Sequence, residues 1–413
     1  MLPRMRRLIQ PALLAIVASY LLAVAVQIGQ QWPPDFATFY AISKALAHGQ
    51  AGGYPALYSL GFQARAFEVL ARVHGQVFTE LFLNPPPAVW LVTPWTTLPL
   101  RAAFLSWDAC TFALGALGTL WLARQVQIRR DLALVVLVAL ASYPFYLALG
   151  EGQYDLLWPL ALALFGSALA PQRAWQVWTK TGLSSLIFVA KPELLLVLVV
   201  PAVCARRVPA VRAFTFWVVG LAAISLLLIG PQGLFAAIHL EAYNMSQRYT
   251  PLADSTALSV VWHLLGPGRL TVALGWAALI LAIGGLAFVW VRNPPHSSAD
   301  WMLSLSSAVC LSLLVAPHSL GHSLTLLVGP LVWCAATLQR SGRGLRLLIP
   351  WVLAMNIALV VDSAPGVALP VPLAPFVLLA AAVMTWRSRR WLAMAIHGGG
   401  PAPDERASLT VAL

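Results

Sequence analysis

The stretch LTVALGWAALILAIGGLAFVWV, Leu270 to Val291, carries no charged residue from one end to the other, and its reading decides the fold. A helix needs about 20 mostly apolar residues to cross a hydrocarbon core roughly 30 Å thick, whereas a barrel strand needs only about 10. Helices and closed barrels alone satisfy their backbone groups in lipid. This run is too long for a strand and the right length for a helix. PALLAIVASYLLAVAVQI, Pro11 to Ile28, reads the same way. The chain is therefore expected to be all-α and polytopic.

Working outward, apolar segments fall at 8–29, 81–99, 102–123, 131–149, 154–170, 182–203, 211–230, 270–291, 301–316, 322–338, 345–361 and 370–386. They predict about 12 spans, with a range of about 10–13. The composition agrees. Of 413 residues, 60% are hydrophobic and only 10% charged, against about 25% charged in soluble domains.

The net charge of +12 does not signal nucleic acid, because the basic residues sit in short clusters between apolar runs. Arg4, Arg6 and Arg7 precede the first segment; Arg129 and Arg130, Arg206, Arg207 and Arg212, Arg340, Arg343 and Arg346, and Arg387, Arg389 and Arg390 punctuate the others. That is the positive-inside pattern of cytoplasmic loops, and its partner is the anionic headgroup of the bilayer. Four scattered cysteines show no metal-ligand or disulfide spacing. The first 30 residues imitate a signal peptide, but their apolar run is long for one and many segments follow. They read as a retained first helix with a cytoplasmic N-terminus.

The path of residues 81–203 has two solutions. If every segment crosses, Arg124 to Arg130 and Arg173 to Lys180 fall outside, against the charge rule. If 81–99 dips and returns and Lys191-Pro192 breaks 182–203, both clusters return to the cytoplasm. Either path leaves residues 30–80 outside as a long first loop and both chain ends inside. The aromatic spacing of that loop predicts short amphipathic helices lying on the membrane surface. A second outer loop is expected at 231–269. Residues 1–390 read as one transmembrane domain, and 391–413 as a disordered cytoplasmic tail.

Asp35, in Trp32-Pro33-Pro34-Asp35-Phe36, lies just past the first helix at headgroup level. A carboxylate there can act as general base on an acceptor hydroxyl. It can equally cap a helix beginning at Phe36, and the two roles are compatible. Lys191, one of three lysines, interrupts an apolar run; it reads as functional, or as snorkelling or paired with Glu193. His318 and His322 stand four apart, half of a zinc pattern without a third ligand, so no metal is expected. Tyr243, Asn244 and Arg248 sit in the second outer loop as candidate sugar or acceptor contacts, or as a solvated face.

Several short elements carry a resemblance. Asp35-Phe36-Ala37-Thr38-Phe39-Tyr40, followed by Gly49 and Tyr58, resembles the first-loop pattern of family 87 glycosyltransferases. Asn84-Pro85-Pro86-Pro87 is similar to their Tyr-Pro-Pro element, Gly152-Gln153 to Gly-Gln-Asn, Lys191-Pro192 to Lys-Pro, and Ala316-Pro317-His318-Ser319 to Ser-Pro-His. This chain departs at Asn84, Tyr154 and Ala316. The resemblance covers about residues 8–335 and implies the GT-C fold and a polyprenyl-phosphate-mannose donor. It implies Asp35 as the catalytic acid residue, acting as base, and inverting displacement at C1. His318, Lys191 and Arg248 would surround the donor phosphate, with Tyr40, Gln153, Tyr243, Asn244 and His322 around sugar and acceptor. The implied acceptor is a glycolipid or glycan at the extracytoplasmic face of a bacterial inner membrane, with no cofactor. The rival readings are a secondary transporter, disfavoured by the absence of an inverted repeat, and a noncatalytic flippase or assembly subunit on the same architecture.

Overall fold

The computed structural model describes residues 3–30, 34–49, 52–74, 81–128, 131–170, 172–191, 199–204, 206–243, 269–292, 298–315 and 321–340. The segments expected at 345–361 and 370–386, and the tail at 391–413, lie outside the described residues. Every regular element among the described residues is helical. In chain order they are α1 (Pro3–Gln30), α2 (Pro34–Ala47), α3 (Leu60–His74), α4 (Pro86–Val92), α5 (Leu100–Gln125), α6 (Leu132–Leu140), α7 (Tyr143–Glu151), α8 (Trp158–Ala168), α9 (Ala174–Phe188), α10 (Val208–Tyr243), α11 (Arg269–Arg292), α12 (Ser298–Val315) and α13 (Val328–Arg340). Short 3-10 turns at Tyr54–Ala56, Thr93–Thr97, Tyr154–Leu157 and Gly321–Leu327 join some of them.

Three of these helices contain stretches long and apolar enough to cross a membrane, namely Ile9–Val26, Leu100–Gln125 and Val208–Leu240. The pair α6 and α7, bent by 54°, makes a fourth if counted as one broken span. The bend falls where Ser142 and Pro144 interrupt the run; proline cannot continue a helix without losing a backbone bond.

The segment 81–99 is not one helix. It consists of α4 and the 3-10 turn Thr93–Thr97, seven and five residues long, too short for roughly 30 Å of hydrocarbon. Both halves are tied to the same helix. The Ser43 hydroxyl donates to the Val89 carbonyl at 3.3 Å and the Tyr40 hydroxyl to the Leu98 carbonyl at 2.7 Å. Residues 89 and 98 are thereby both held against α2.

Close contacts fix the directions of the helices that follow. The backbone at Gly115 in α5 meets the Leu156 carbonyl, and Gly118 meets the backbone of Pro159 and Leu160. Helix α5 and the 154–168 segment thus run parallel, joined by α6 and α7 returning between them. Any side chain at Gly118 would be driven into the α8 backbone, which cannot yield as a flexible side chain would. Gly118→Ala is expected to cost at least about 2 kcal/mol by overpacking. A thermal melt in detergent coincident with the wild type would show that α5 and α8 do not pack backbone to backbone.

The Ser184 hydroxyl on α9 donates to the Ala161 carbonyl at 3.0 Å, and Gly329 in α13 packs on Leu162. The result is a bundle with two chemically different ends. One end gathers Arg124, Lys180, Arg207 and their neighbours. The other holds Asp35, Gln153, Asp155 and Lys191. One continuous apolar core runs between them, from Val17 in α1 to Ala336 in α13.

The first loop forms the expected helices, but α2 does not lie on a surface. Phe36 through Ser43 are all buried, because α2 carries apolar residues on every face, the signature of an interior helix. Gln63 of α3 staples the loop to the segment after it. Its amide donates to the Leu57 and Phe82 carbonyls and accepts from the Phe82 N–H, at 3.1, 2.9 and 3.0 Å. Residues 231–243, expected to begin a loop, are helical. Helix α10 breaks at Gly230 and resumes through Pro231 to Tyr243, since proline suits the first turn of a new helix.

Candidate functional site

Asp35 lies in the first turn of α2, where a negative charge complements the helix dipole. The helix begins at Pro34, earlier than a cap at Asp35 would require. Its carboxylate accepts a hydrogen bond from the Gln153 side-chain amide, 118 positions away in sequence. The Gly-Gln element explains how the two meet. Gly152 terminates α7 in the left-handed region, φ +67, the usual glycine helix stop. A Cβ there would stand 2.6 Å from the Phe36 Cβ and 2.8 Å from the Phe104 ring. Its absence lets α2 sit against the end of α7. The Trp107 indole N–H locks the turn by donating to the Gly152 carbonyl at 2.8 Å. Phe36 and Phe104 pack edge to face at 5.4 Å beside it. The buried Gln153 is thereby aimed at the carboxylate of the residue next to Phe36.

A second polar group lies across the 3-10 turn Tyr154–Leu157. The Lys191 ammonium donates to the Ser323 hydroxyl and stands over the Trp158 ring, 5.2 Å from its centre. The Thr325 hydroxyl donates to the Asp155 carbonyl at 3.0 Å. Gln153 and Trp158, one from each group, flank the two ends of this turn. Trp158 is fully buried, and its indole N–H donates to nothing among the described residues. Lys191 and that indole are both donors suited to an anion.

The remaining candidates divide by position. Tyr40 is buried, its hydroxyl donating to Leu98 and accepting from Lys44 at 3.1 Å; it braces the wall behind Asp35. Tyr243 ends α10 and is exposed. Asn244, Arg248 and His318 lie outside the described residues, as does the side chain of His322, whose backbone falls in the turn Gly321–Leu327. No group of three or more potential metal ligands occurs among the described residues.

Two elements quoted for their pattern also meet. The Tyr58 hydroxyl donates to the Asn84 carbonyl at 2.8 Å, and burial pushes its phenol above the usual range. Sequence reasoning missed Ser323, Trp158 and Asp108. Asp108, on α5 beside Trp107, is 5% exposed and neither oxygen has a hydrogen-bond partner among the described residues. The signal for Asp108 was present, since an ionisable residue inside an apolar run is informative by itself. Nothing local singles out Ser323.

Described residues that form only helices, three of them with stretches long and apolar enough to cross a bilayer, fit a membrane protein. Residues 82–317 match the sequence model of glycosyltransferase family 87, more than half of the 413-residue chain. The chain belongs to that family and is a glycosyltransferase. The matched stretch contains Gln153, Trp158 and Lys191, while Asp35 precedes it. No curated protein and no solved structure matches the chain.

Proposed function

We propose that the protein transfers a hexose, mannose in the first instance, from a polyprenyl-phosphate donor to a glycolipid or glycan acceptor. The pairing of Asp35 with Gln153 beside the Lys191–Ser323 group is the observation that carries this reading. Asp35 takes the proton of the acceptor hydroxyl as its oxygen attacks the sugar C1. The bond between C1 and the phosphate oxygen breaks, and the electron pair leaves with polyprenyl phosphate, inverting the anomeric centre. Gln153 orients the Asp35 carboxylate so that one oxygen remains directed at the hydroxyl. Lys191, held by Ser323 and Trp158, stabilises the charge growing on the leaving phosphate. Arg248 and His318 are proposed to complete that phosphate site, with Tyr243, Asn244 and His322 toward the acceptor. No metal is required, because phosphate is already a competent leaving group.

The charge distribution supports an arrangement in which the basic end faces the cytoplasm and the Asp35 end the exterior. We assign the chain on that basis to the GT-C architecture in a bacterial inner membrane. About 12 spans and two cytoplasmic termini complete the assignment. The first test compares a radiolabelled polyprenyl-phosphate hexose with the corresponding nucleotide sugar as donor in membranes containing the protein. Transfer from the lipid-linked donor alone is expected; transfer only from the nucleotide sugar would overturn the donor assignment. Lys191→Met is expected to lower kcat/KM for the lipid donor about tenfold, the loss of one hydrogen bond to a charged group. An unchanged kcat/KM would remove Lys191 from the phosphate site.

A further inference from the structure

At the opposite end of the bundle, about 25 residues down α5 from its start, lies a cavity of about 240 Å³ that plays no part in the transfer site. Its wall is made by Gln125, Ser167, Gln172, Lys180, Trp301 and Met302, with Leu305 and two small residues of the α8 end. Among the described residues no acidic side chain lines it. We propose that this cavity binds a phosphate anion, the shared chemistry of an anionic phospholipid headgroup and a free phosphate.

Three observations point to an anion. Trp301 is 5% exposed, and its indole N–H has no hydrogen-bond partner among the described residues. A buried donor left without an acceptor costs free energy that a ligand can recover. The Lys180 ammonium lies in the same wall. It gives one hydrogen bond, to the Gln172 side-chain oxygen at 2.6 Å, and stands 5.8 Å from the centre of the Trp121 ring. An ammonium has three N–H donors, so donors remain for a ligand. The third observation is the Arg207 guanidinium, stacked 5.5 Å from the centre of the Trp301 ring, which adds positive potential on the far face of that indole.

The amide groups of the wall hold it in shape. Gln172 donates to the Ser167 carbonyl at 3.0 Å and Gln125 to the Ala163 carbonyl at 2.8 Å. Both are thus fixed by α8 and keep one further N–H each; the charged donor and the wholly unpartnered one are Lys180 and Trp301. An anion seated between them would accept from both. Met302 and Leu305 supply an apolar flank beside this polar floor, which suits a headgroup still attached to its glycerol and acyl chains. Lys180, Arg207 and Arg124 gather at the end that the charge rule puts on the cytoplasmic side, where anionic lipid is the abundant phosphate source.

The test uses the full chain purified in a neutral detergent. Short-chain phosphatidylglycerol is titrated in one arm and inorganic phosphate in the other, with short-chain phosphatidylcholine as reference. Native mass spectrometry counts bound lipid and calorimetry measures phosphate. Phosphatidylglycerol is expected to bind in preference to phosphatidylcholine. Lys180→Gln and Trp301→Phe should each weaken it about tenfold, the size of one hydrogen bond to a charged group. Trp301→Phe keeps an aromatic ring for Arg207 and removes the N–H together with the five-membered part of the indole. Arg101→Gln, exposed at the start of α5, should leave binding unchanged. Phosphate binding with the same sensitivity to both substitutions, and no added affinity for the lipid, would identify a free phosphate as the ligand. Binding that is equally strong in wild type, Lys180→Gln and Trp301→Phe overturns the proposal, as does no preference for phosphatidylglycerol combined with no phosphate binding.

Discussion

Asp35→Asn is expected to abolish sugar transfer while leaving the fold intact, a loss of roughly 10²- to 10⁴-fold in kcat if this carboxylate is the general base. The substitution is nearly isosteric. The Asn carbonyl oxygen can still accept from the Gln153 amide that now meets the Asp35 carboxylate, so α2 keeps its contact with the end of α7. What it loses is a basic oxygen able to take a proton. The measurement is single-turnover transfer of label from polyprenyl-phosphate hexose, with binding of the donor followed separately. Unchanged donor binding with chemistry lost places the defect in the step Asp35 performs. Transfer at the wild-type rate would demote Asp35 to a residue that stabilises the first turn of α2. The base would then be sought at Asp108 or Asp155, two buried carboxylates at this end of the bundle. Loss of donor binding together with transfer would instead make Asp35 a binding residue.

The two halves of the site differ in how far they could be read from the chain. The acid after the first helix stands out as a carboxylate at the edge of an apolar run, although a helix start would use the same residue. Lys191 is legible because charge inside an apolar run is costly. Their partners are not legible from local pattern. Gln153 meets Asp35 across 118 positions and Ser323 meets Lys191 across 132, and each pairing depends on how α7, α8 and the turn Gly321–Leu327 are stacked. The burial of Tyr40 is of the same kind, since an aromatic in a loop could equally face a substrate.

Residues 81–99 are a different case, for which the sequence left a full crossing and a dip both open. Mean hydropathy treats them like any other span, but five prolines, at 85, 86, 87, 94 and 99, stand in that stretch. A continuous helix cannot accommodate proline at that density. The punctuation therefore held the information that the hydropathy lacked, and the short α4 is its consequence. The run Leu100–Gln125 contains no proline and became one long helix, whereas Val208–Leu240 breaks at its single Gly230-Pro231 step. The helical class was legible because one physical requirement, hydrogen-bonding in lipid, dominates it. It was silent where contacts between distant helices decide.

Gly152→Ala should damage both stability and catalysis, and catalysis more. The left-handed conformation at φ +67 costs an alanine on the order of 1 kcal/mol. Two collisions add to this. The Phe104 ring, 2.8 Å from the new methyl group, can rotate away at modest cost. The Phe36 Cβ, 2.6 Å away, is bonded directly to the α2 backbone and can retreat only if α2 itself shifts. Together these are expected to cost about 3 kcal/mol. The shift carries Asp35, the neighbour of Phe36, away from Gln153. A displacement near 1 Å at a reacting group lowers rate on the order of 10²-fold, so transfer should fall by about that factor even at temperatures where the protein remains folded. Phe104→Leu, combined with Gly152→Ala, separates the two effects. It should recover thermal stability, by removing the ring collision, and leave transfer impaired, because the Phe36 contact persists. Parallel recovery of stability and transfer in the double variant would mean that the α2 position is not what sets the activity, and that Gly152 serves only to end α7.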